Sequence, residues 1–216
     1  MKLNDQYVTL CGKQLHGLRH ICAFFESENE QYDILTPYLK EGIDIGDRVV
    51  TILESDSHLG HFARLESAGI GTSAAIEREQ LMVLKSEDSY LKDGIFVVER
   101  MCKMLEDAIT SAENSEFKHV RTMGDMDWAL RGCPGTDELI VYEARVNEIA
   151  PRHDCTLLCA YDINKFSGRV IADVLATHSH VLMGGQIYEN PHYVEPLEYL
   201  KKLASRRGAV SPRRDN

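Results

Sequence analysis

The chain of 216 residues carries a formal net charge of −10, with 44% hydrophobic and 27% charged residues, which suits a single globular α/β domain with a substantial core. The negative charge argues against a general nucleic-acid-binding protein, because the phosphate backbone attracts cationic surfaces. No apolar run approaches the roughly 20 residues of a membrane span, and no N-terminal stretch is typical of a signal peptide, so we expect a cytoplasmic protein without a membrane partner.

The first predicted structural unit follows a lead-in of about 18 residues, which we expect to be a flexible arm or edge rather than an extra strand near residues 7–10. Apolar runs at 21–25 and 47–53 predict two buried strands, and a helical pattern lies between them. Pro37 is expected to kink this helix or to begin a new turn. Two such strands joined by a helix favour a right-handed βαβ unit in a parallel sheet.

Helices and strands alternate in the predictions for the rest of the chain, and the basic tail from Lys201 onward is expected to fray. This alternation predicts an α/β fold, a three-layer, mostly parallel β-sheet flanked by helices. The predicted helices span 57–69, 95–112, 137–149 and 168–177, a short turn covers 74–78, and the strands span 81–84, 120–123, 155–161 and 181–183.

The loop after the first predicted strand carries three carboxylates, Glu26, Glu28 and Glu30. In a parallel sheet this loop lies at the carboxyl edge, where P-loop proteins hold phosphate with glycines, a lysine and Ser or Thr. This loop has no glycine and no lysine, so ordinary NTP hydrolysis is not expected there. Glu26 is the better pocket candidate, whereas solvent exposure or helix capping is slightly favoured for Glu28 and Glu30.

Acidic and aromatic residues follow later predicted strands. Asp125 and Asp127 stand where RecA-like enzymes hold a metal-binding aspartate, but magnesium without a phosphate would have too few ligands. Trp128 is either a ligand-stacking residue or, as we favour, a core residue. Asp162, also at a strand end, is equally suited to a ligand contact and to capping the next turn.

A polar stripe on the helix at 137–149 brings Glu143 into the set of candidates. Arg121, on the preceding strand, or Arg145 is expected to approach Glu143, because a buried charge needs a partner. We favour an ion pair of Glu143 within the fold over binding of a small polar ligand by the same residues.

Histidines and cysteines suggest a metal or nucleophilic site without supplying one locally. His20 and Cys22 share one strand face, but joining them to Cys159 or His178 requires tertiary contacts that the spacing does not indicate. Cys133 precedes a helix without a base beside it. We therefore predict no metal site and no catalytic residue, and reduced, mostly buried thiols at all six cysteines: Cys11, Cys22, Cys102, Cys133, Cys155 and Cys159.

Several segments of the chain are informative when taken together: HICAFFESENEQYDILTPYLKEGIDIGDRVV, RTMGDMDWAL, DELIVYEARVNE, CAYDINKFSG and ATHSHVLMGGQIYENPHY. In this order they resemble the MEDS domain, the methanogen/methylotroph DcmR sensory domain. The resemblance covers residues 17–203 and implies a RecA/KaiC-like fold that has lost its P-loop. It also implies a sensory or ligand-binding module, which in the family is attached to DNA-binding or histidine-kinase regions or stands alone.

The leading hypothesis is a stand-alone, non-enzymatic sensory module at 17–203, with a lead-in at 1–16 and a basic flexible tail at 204–216. It would bind an unidentified small-molecule signal at the carboxyl edge and relay it to a regulatory partner such as a histidine kinase or transcription factor, with no cofactor identified. The alternatives are a nucleotide-binding protein with weak ATPase activity and a non-catalytic assembly protein that forms homo-oligomers. The predicted ligand-binding residues are His20, Phe25, Glu26, Arg121, Asp125, Trp128, Tyr142, Glu143, Tyr161, Asp162 and His178.

Overall fold

Strands and helices alternate along residues 8–16 and 19–209, the part of the chain that a computed structural model describes. The alternation confirms the predicted α/β class. The strands are β1 (Val8–Leu10), β2 (Lys13–Leu15), β3 (His20–Phe25), β4 (Arg48–Leu53), β5 (Leu81–Lys85), β6 (Val120–Asp125), β7 (Cys155–Asp162), β8 (His180–Met183) and β9 (Gln186–Glu189). The helices are α1 (Glu28–Ile45), α2 (His58–Ser67), α3 (Thr72–Glu77), α4 (Val98–Glu113), α5 (Leu139–Ile149), α6 (Gly168–Thr177) and α7 (Pro196–Ala209).

The main sheet has seven strands in the order β5-β4-β6-β7-β3-β8-β9, within the described ranges. All neighbouring pairs are parallel except β8 and β9, which form an antiparallel hairpin. Gly184 and Gly185, both at positive φ, make the turn of that hairpin. The strands that α1 connects, β3 and β4, are parallel as predicted, but β7 and β6 lie between them. No helix within the described residues is both long and apolar enough to cross a bilayer.

Two apolar cores sandwich the sheet. Along β3, Cys22 and Phe24 point into the core shared with α4 to α7, whereas Ile21, Ala23 and Phe25 point into the core shared with α1 to α3. Because both faces are covered, every residue of β3 and β4 is buried, and each strand reads as a nearly continuous apolar run.

Helix α1 begins and ends with clear capping signals. The Ser27 hydroxyl accepts a hydrogen bond from the Glu30 amide, and Gly46 at a φ of 91° closes the C-terminus. The apolar side of α1 packs on the sheet through Leu35 and Leu39. The helix runs from Glu28 to Ile45 through Pro37, so no separate helix begins at the proline.

Two predictions about the ends of the chain need correction. Residues 8–15 form the β1–β2 hairpin, and its Val8 and Leu10 side chains are buried in the core beneath α1, so this part is not a flexible arm. Residues 201–209 do not fray, because α7 extends to Ala209 and buries Leu203 in the opposite core. Residues 1–7, 17–18 and 210–216 lie outside the described ranges.

Candidate functional site

A cleft of about 350 Å³ opens at the carboxyl ends of β3, β4, β6 and β7, between these strand ends and the N-terminal turn of α1. This is the edge at which open parallel sheets bind ligands. Phe25, Asp125 and Asp162, three of the predicted ligand-binding residues, line it together with Tyr32 and Lys165. Six carboxylates face the cleft: Glu28, Glu54, Asp56, Asp125, Asp127 and Asp162.

The start of α1 at the cleft is occupied by the chain's own side chains. The Glu30 carboxylate accepts a hydrogen bond from the Glu26 amide at 2.7 Å, and Ser27 Oγ accepts one from the Glu30 amide at 3.2 Å. Backbone amides at a helix start would otherwise be available to an anion. The Glu26 side chain is exposed and does not line the cleft, whereas Glu28 does, so the preference for Glu26 over Glu28 is wrong.

Cations within the protein neutralise part of the cleft. Lys165 forms ion pairs with Asp127 and, at 3.4 Å, with Asp162. Asp125 accepts a hydrogen bond from the Asp127 amide at 3.0 Å. Burial, together with the nearby Asp127 carboxylate, raises the pKa of Asp125 to about 6. Acidic groups still outnumber basic ones, so the cleft favours a cationic or hydroxyl-bearing molecule over an anion.

A second group of predicted residues meets inside the protein, on the α4–α7 side of the sheet. We call His20, Glu143, Cys159 and His178 the buried quartet; their four candidate ligand atoms all lie within 4.8 Å of one another. Glu143 Oε2 lies 3.2 Å from His20 Nε2, 3.5 Å from His178 Nε2 and 3.5 Å from Cys159 Sγ. Cys159 Sγ lies 3.7 Å from His20 Nε2. The fold thus brings together residues from β3, α5, β7 and the end of α6.

Hydrogen bonds around the buried quartet determine which imidazole nitrogen carries the proton. Asn147 donates its amide hydrogens to the carbonyls of Thr177, at 2.6 Å, and Glu143, at 3.1 Å, so its Oδ1 accepts from His20 Nδ1 at 3.1 Å. His178 Nδ1 donates to the Val174 carbonyl at 2.8 Å. Both histidines therefore direct Nε2 toward Glu143.

The ionisation of the buried quartet follows from its surroundings. Burial raises the pKa of Glu143, but the two histidines and the hydrogen bond donated by the Tyr161 hydroxyl outweigh it and lower the pKa below its usual range. Burial lowers the pKa of His178 to about 3. Burial and the Glu143 carboxylate hold the pKa of the Cys159 thiol well above its usual value. Among the described residues, His178 Nε2 has no hydrogen-bond partner.

Tyr142 and Trp128 lie in the core and do not line the cleft. Tyr142 borders an apolar cavity of about 120 Å³ between the sheet and α4, which Met101 and Cys159 also line. Trp128 is fully buried, with its ring centroid 4.7 Å from that of Tyr90 and 4.4 Å from that of Phe96. The predicted ligand contact of Trp128 is therefore wrong, and the favoured core interpretation holds.

Arg121 does not approach Glu143, which corrects both its predicted ion pair and its predicted ligand contact. It lies opposite Val49 on β4, and its side chain turns toward α1. There it forms a buried ion pair with Asp47 at 2.7 Å and a second contact with Glu41 at 2.8 Å. Glu143 lies on the other side of the sheet.

The family model for MEDS, the methanogen/methylotroph DcmR sensory domain, matches residues 19–179. The chain belongs to the MEDS family. This MEDS domain is 28% identical over 163 residues to the transcriptional repressor DcmR of Methylorubrum extorquens (strain DSM 6343 / CIP 106787 / DM4). That alignment covers 74% of this chain and 57% of the repressor, so the chain spans little more than half the length of this relative.

The fold of this MEDS domain is similar to that of a KaiC-like protein from the hyperthermophilic archaeon Pyrococcus horikoshii OT3, with a TM-score of 0.57. The two chains are 11% identical, and the match covers 76% of this chain and 71% of the other. The likeness concerns the fold alone. Together with the sheet order, it confirms the predicted three-layer RecA/KaiC-like architecture, and the family match confirms the predicted MEDS resemblance.

The predicted ligand-binding residues do not include several residues that the fold places at the cleft or beside the buried quartet. Glu54 directly follows β4, so the same carboxyl-edge rule that selected Asp125 and Asp162 also points to it. Lys165 lies three residues after the end of β7. Asn147 is one helical turn from Glu143, but its role depends on a contact with β3 that no local pattern reveals.

Proposed function

We propose that this MEDS domain is a non-catalytic sensory module that binds a small cationic or hydroxylated molecule in the carboxyl-edge cleft and relays its presence to a regulatory partner. The proposal rests on one observation, that Glu30 and Ser27 engage the start of α1 where a phosphate would bind. A nucleotide would meet carboxylates there in place of free amides. The family membership and the similarity to a transcriptional repressor support the regulatory role.

Lys165 is the group through which ligand binding would alter the domain. Its ammonium pairs with Asp127 and Asp162, so it occupies the position that a cationic ligand would take. A ligand that displaces it would free the segment between β7 and α6, because Lys165 lies on that segment. A ligand shifts a conformational equilibrium only by binding one state more tightly than the other, and displacement of Lys165 supplies that difference.

Thermal-shift titration with short amines, polyols and Mg-ATP tests this proposal. We expect stabilisation by at least one amine or polyol and none by Mg-ATP. Lys165→Ala removes the internal competitor and should tighten amine binding, whereas Asp127→Asn should weaken it. Lys103→Ala, which removes an exposed lysine paired with Asp107 on α4, is the matched control and should change nothing. Saturable Mg-ATP binding would instead favour the weak-ATPase alternative.

The apolar cavity provides a second candidate position for the sensed molecule. Its lining is almost entirely apolar, including Met82, Met101 and Leu105, so it suits one small apolar molecule. Benzene and xenon are suitable probes, since both enter dry apolar cavities of similar size in proteins. Ala108→Leu should fill the space and abolish their binding, whereas Ala63→Leu, on the exposed side of α2, should not.

The assembly alternative is separated from sensing by a measurement of molar mass. Light scattering coupled to size exclusion, with and without an amine that stabilises the domain, reports whether the ligand changes the oligomeric state. A stable oligomer that no small molecule affects would favour an assembly protein over a sensor.

A further inference from the structure

We propose that His20, Glu143, Cys159 and His178 bind one divalent transition-metal ion, with zinc as the expected ion. The inference concerns the buried quartet alone and does not depend on the ligand proposed for the cleft. It departs from the expectation drawn from the sequence, in which these residues had no visible reason to meet.

The spacing of the four side chains matches a tetrahedral ligand set. Zinc bonds of about 2.0–2.3 Å to nitrogen, oxygen and sulfur place neighbouring ligand atoms roughly 3.3–3.6 Å apart. The separations from Glu143 Oε2 to the other three atoms are 3.2, 3.5 and 3.5 Å, and that from Cys159 Sγ to His20 Nε2 is 3.7 Å. The separations of His178 Nε2 from His20 Nε2 and Cys159 Sγ are within 4.8 Å, so these side chains would move toward one another when an ion binds.

The orientation of both imidazoles places their Nε2 atoms against a carboxylate. Since Asn147 Oδ1 and the Val174 carbonyl accept hydrogen bonds from Nδ1 of His20 and His178, each Nε2 faces Glu143 Oε2, at 3.2 Å and 3.5 Å. A carboxylate oxygen and an imidazole Nε2 approach this closely only with a proton or a metal cation between them. Metal-binding histidines characteristically have this arrangement, with the distal N–H held by an oxygen of the second shell. Tyr161, which donates to the other Glu143 oxygen, completes that shell.

The donor types select the ion. Two imidazole nitrogens, a thiolate and a carboxylate suit zinc and its neighbours in the first transition row, whereas magnesium and calcium prefer oxygen ligands. When the ion binds, Cys159 forms the metal–sulfur bond as its thiol proton leaves to solvent. The carboxylate and thiolate charges then balance the two positive charges of the ion, which favours a fully buried site. With four protein ligands, the site resembles closed structural centres, and it would tie β3 and β7 to α5 and α6.

Metal analysis and cobalt substitution of the full chain test the site. Protein purified without chelators should contain about one zinc per chain by plasma mass spectrometry, in line with the four-ligand set. After removal of the zinc, Co²⁺ should produce the intense visible absorption of a tetrahedral site and a near-ultraviolet thiolate-to-cobalt charge-transfer band.

Single-residue variants distinguish metal binding by the buried quartet from metal binding by other cysteines. Cys159→Ser should abolish the charge-transfer band and weaken zinc binding by about 100-fold or more, whereas Cys155→Ser, a buried cysteine of the same strand outside the quartet, should retain both. Asn147→Leu should weaken binding roughly 10–100-fold through the second shell. A charge-transfer band that persists in Cys159→Ser would show an adventitious ion on another cysteine.

Wild-type protein keeps the proposal falsifiable if a variant does not fold. If the stripped wild type binds neither Zn²⁺ nor Co²⁺ with one-to-one stoichiometry, the quartet is a protonated histidine–glutamate network and the proposal is wrong. A wild-type cobalt spectrum without a thiolate band would likewise exclude Cys159 as a ligand.

Discussion

Two buried polar clusters on opposite sides of the same sheet differ in their balance of donors and acceptors. The amino-edge ion pair joins Arg121 to Asp47 and Glu41, so each of two guanidinium nitrogens meets a carboxylate. In the buried quartet, by contrast, the Glu143 carboxylate faces two imidazole Nε2 atoms and a thiol, none of which is a permanent cation. Burial alone therefore does not distinguish a structural cluster from a candidate site. The distinguishing property is whether the protein supplies a positive partner for each buried negative group.

The largest effect is expected at the amino-edge ion pair. Arg121→Met removes the cation and leaves Asp47 buried without its partner, which should lower the free energy of unfolding by about 3–5 kcal/mol in urea titrations. Burial raises the pKa of Asp47 despite the nearby guanidinium, so the pair itself adds little net stability. The double variant Arg121→Met/Asp47→Leu should therefore recover more than half of the loss. No recovery would show that the arginine has a role beyond charge balance.

An exposed pair provides the control for this prediction. Arg145 and Glu148 lie 2.9 Å apart on α5 with both side chains partly exposed. Arg145→Met should change the free energy of unfolding by less than about 1 kcal/mol, because water screens the attraction between exposed charges and solvates Glu148 when the arginine is gone.

The fold was predictable because each buried strand and amphipathic helix leaves a local pattern. Helix 168–177 was placed at the bounds that α6 has, and the strand at 155–161 matches β7 to within one residue. Errors arose where a polar residue took a core position. In α2, the polar His61 is buried between the Tyr32 hydroxyl and Thr51 Oγ1, whereas the apolar Leu59 is 85% exposed, the reverse of what an apolar pattern predicts.

Within the candidate site, only residues that directly follow a strand could be predicted from the sequence. The carboxyl-edge rule selects Asp125 and Asp162 from their positions after strands, without any tertiary information. The buried quartet depends on β3 and β7 being neighbours, although 139 positions separate His20 from Cys159 in the chain. The ion-pair partner of Arg121 likewise depends on the side of the sheet that its side chain faces. Because helices cover both faces of the sheet, the sequence of the strand does not show which side that is.

Asp125 in the cleft is a further, partly buried carboxylate whose charge its surroundings do not fully balance. Its folded pKa of about 6 exceeds the ordinary value because of burial and Asp127, with Asp162 adding repulsion and Lys165 opposing it. The charged form is thus disfavoured by folding, and stability falls as pH rises from about 4 through 6. Asp125→Asn should raise the free energy of unfolding by about 1–2 kcal/mol at pH 7.5 and by almost nothing at pH 4. Urea titrations at both pH values check this, and equal effects at the two would contradict it.

The hydrogen bond that caps the start of α1 lies at the surface, so its loss should change the free energy of unfolding less than Asp125→Asn does. Ser27 caps α1, and Ser27→Ala leaves the Glu30 amide without its hydroxyl acceptor. We expect a loss of about 1 kcal/mol in the free energy of unfolding. Ser73→Ala, at an exposed position of α3 without a capping bond, should lie within about 0.5 kcal/mol of wild type. A Ser27→Ala loss no larger than that of the control would mean that Glu30 alone holds the start of the helix.

The smallest effect is expected for Glu143→Gln in the buried quartet. It tests the comparison most directly, because Asp47→Asn makes the same change of carboxylate to amide in the amino-edge ion pair. In chelator-treated protein, Glu143→Gln keeps an oxygen to accept from Tyr161 and turns an amide donor toward the two imidazole Nε2 atoms. We therefore expect a change of less than about 1 kcal/mol, whereas Asp47→Asn strips Arg121 of its buried carboxylate and should cost roughly 3 kcal/mol. Urea unfolding of both variants at pH 7.5 measures the difference. If Glu143→Gln cost as much as Asp47→Asn, His20 would have to carry a second proton and the quartet would be another internal ion pair. A small cost would show that Glu143 has no cationic partner among the protein's own side chains, which is the condition that a bound metal ion satisfies.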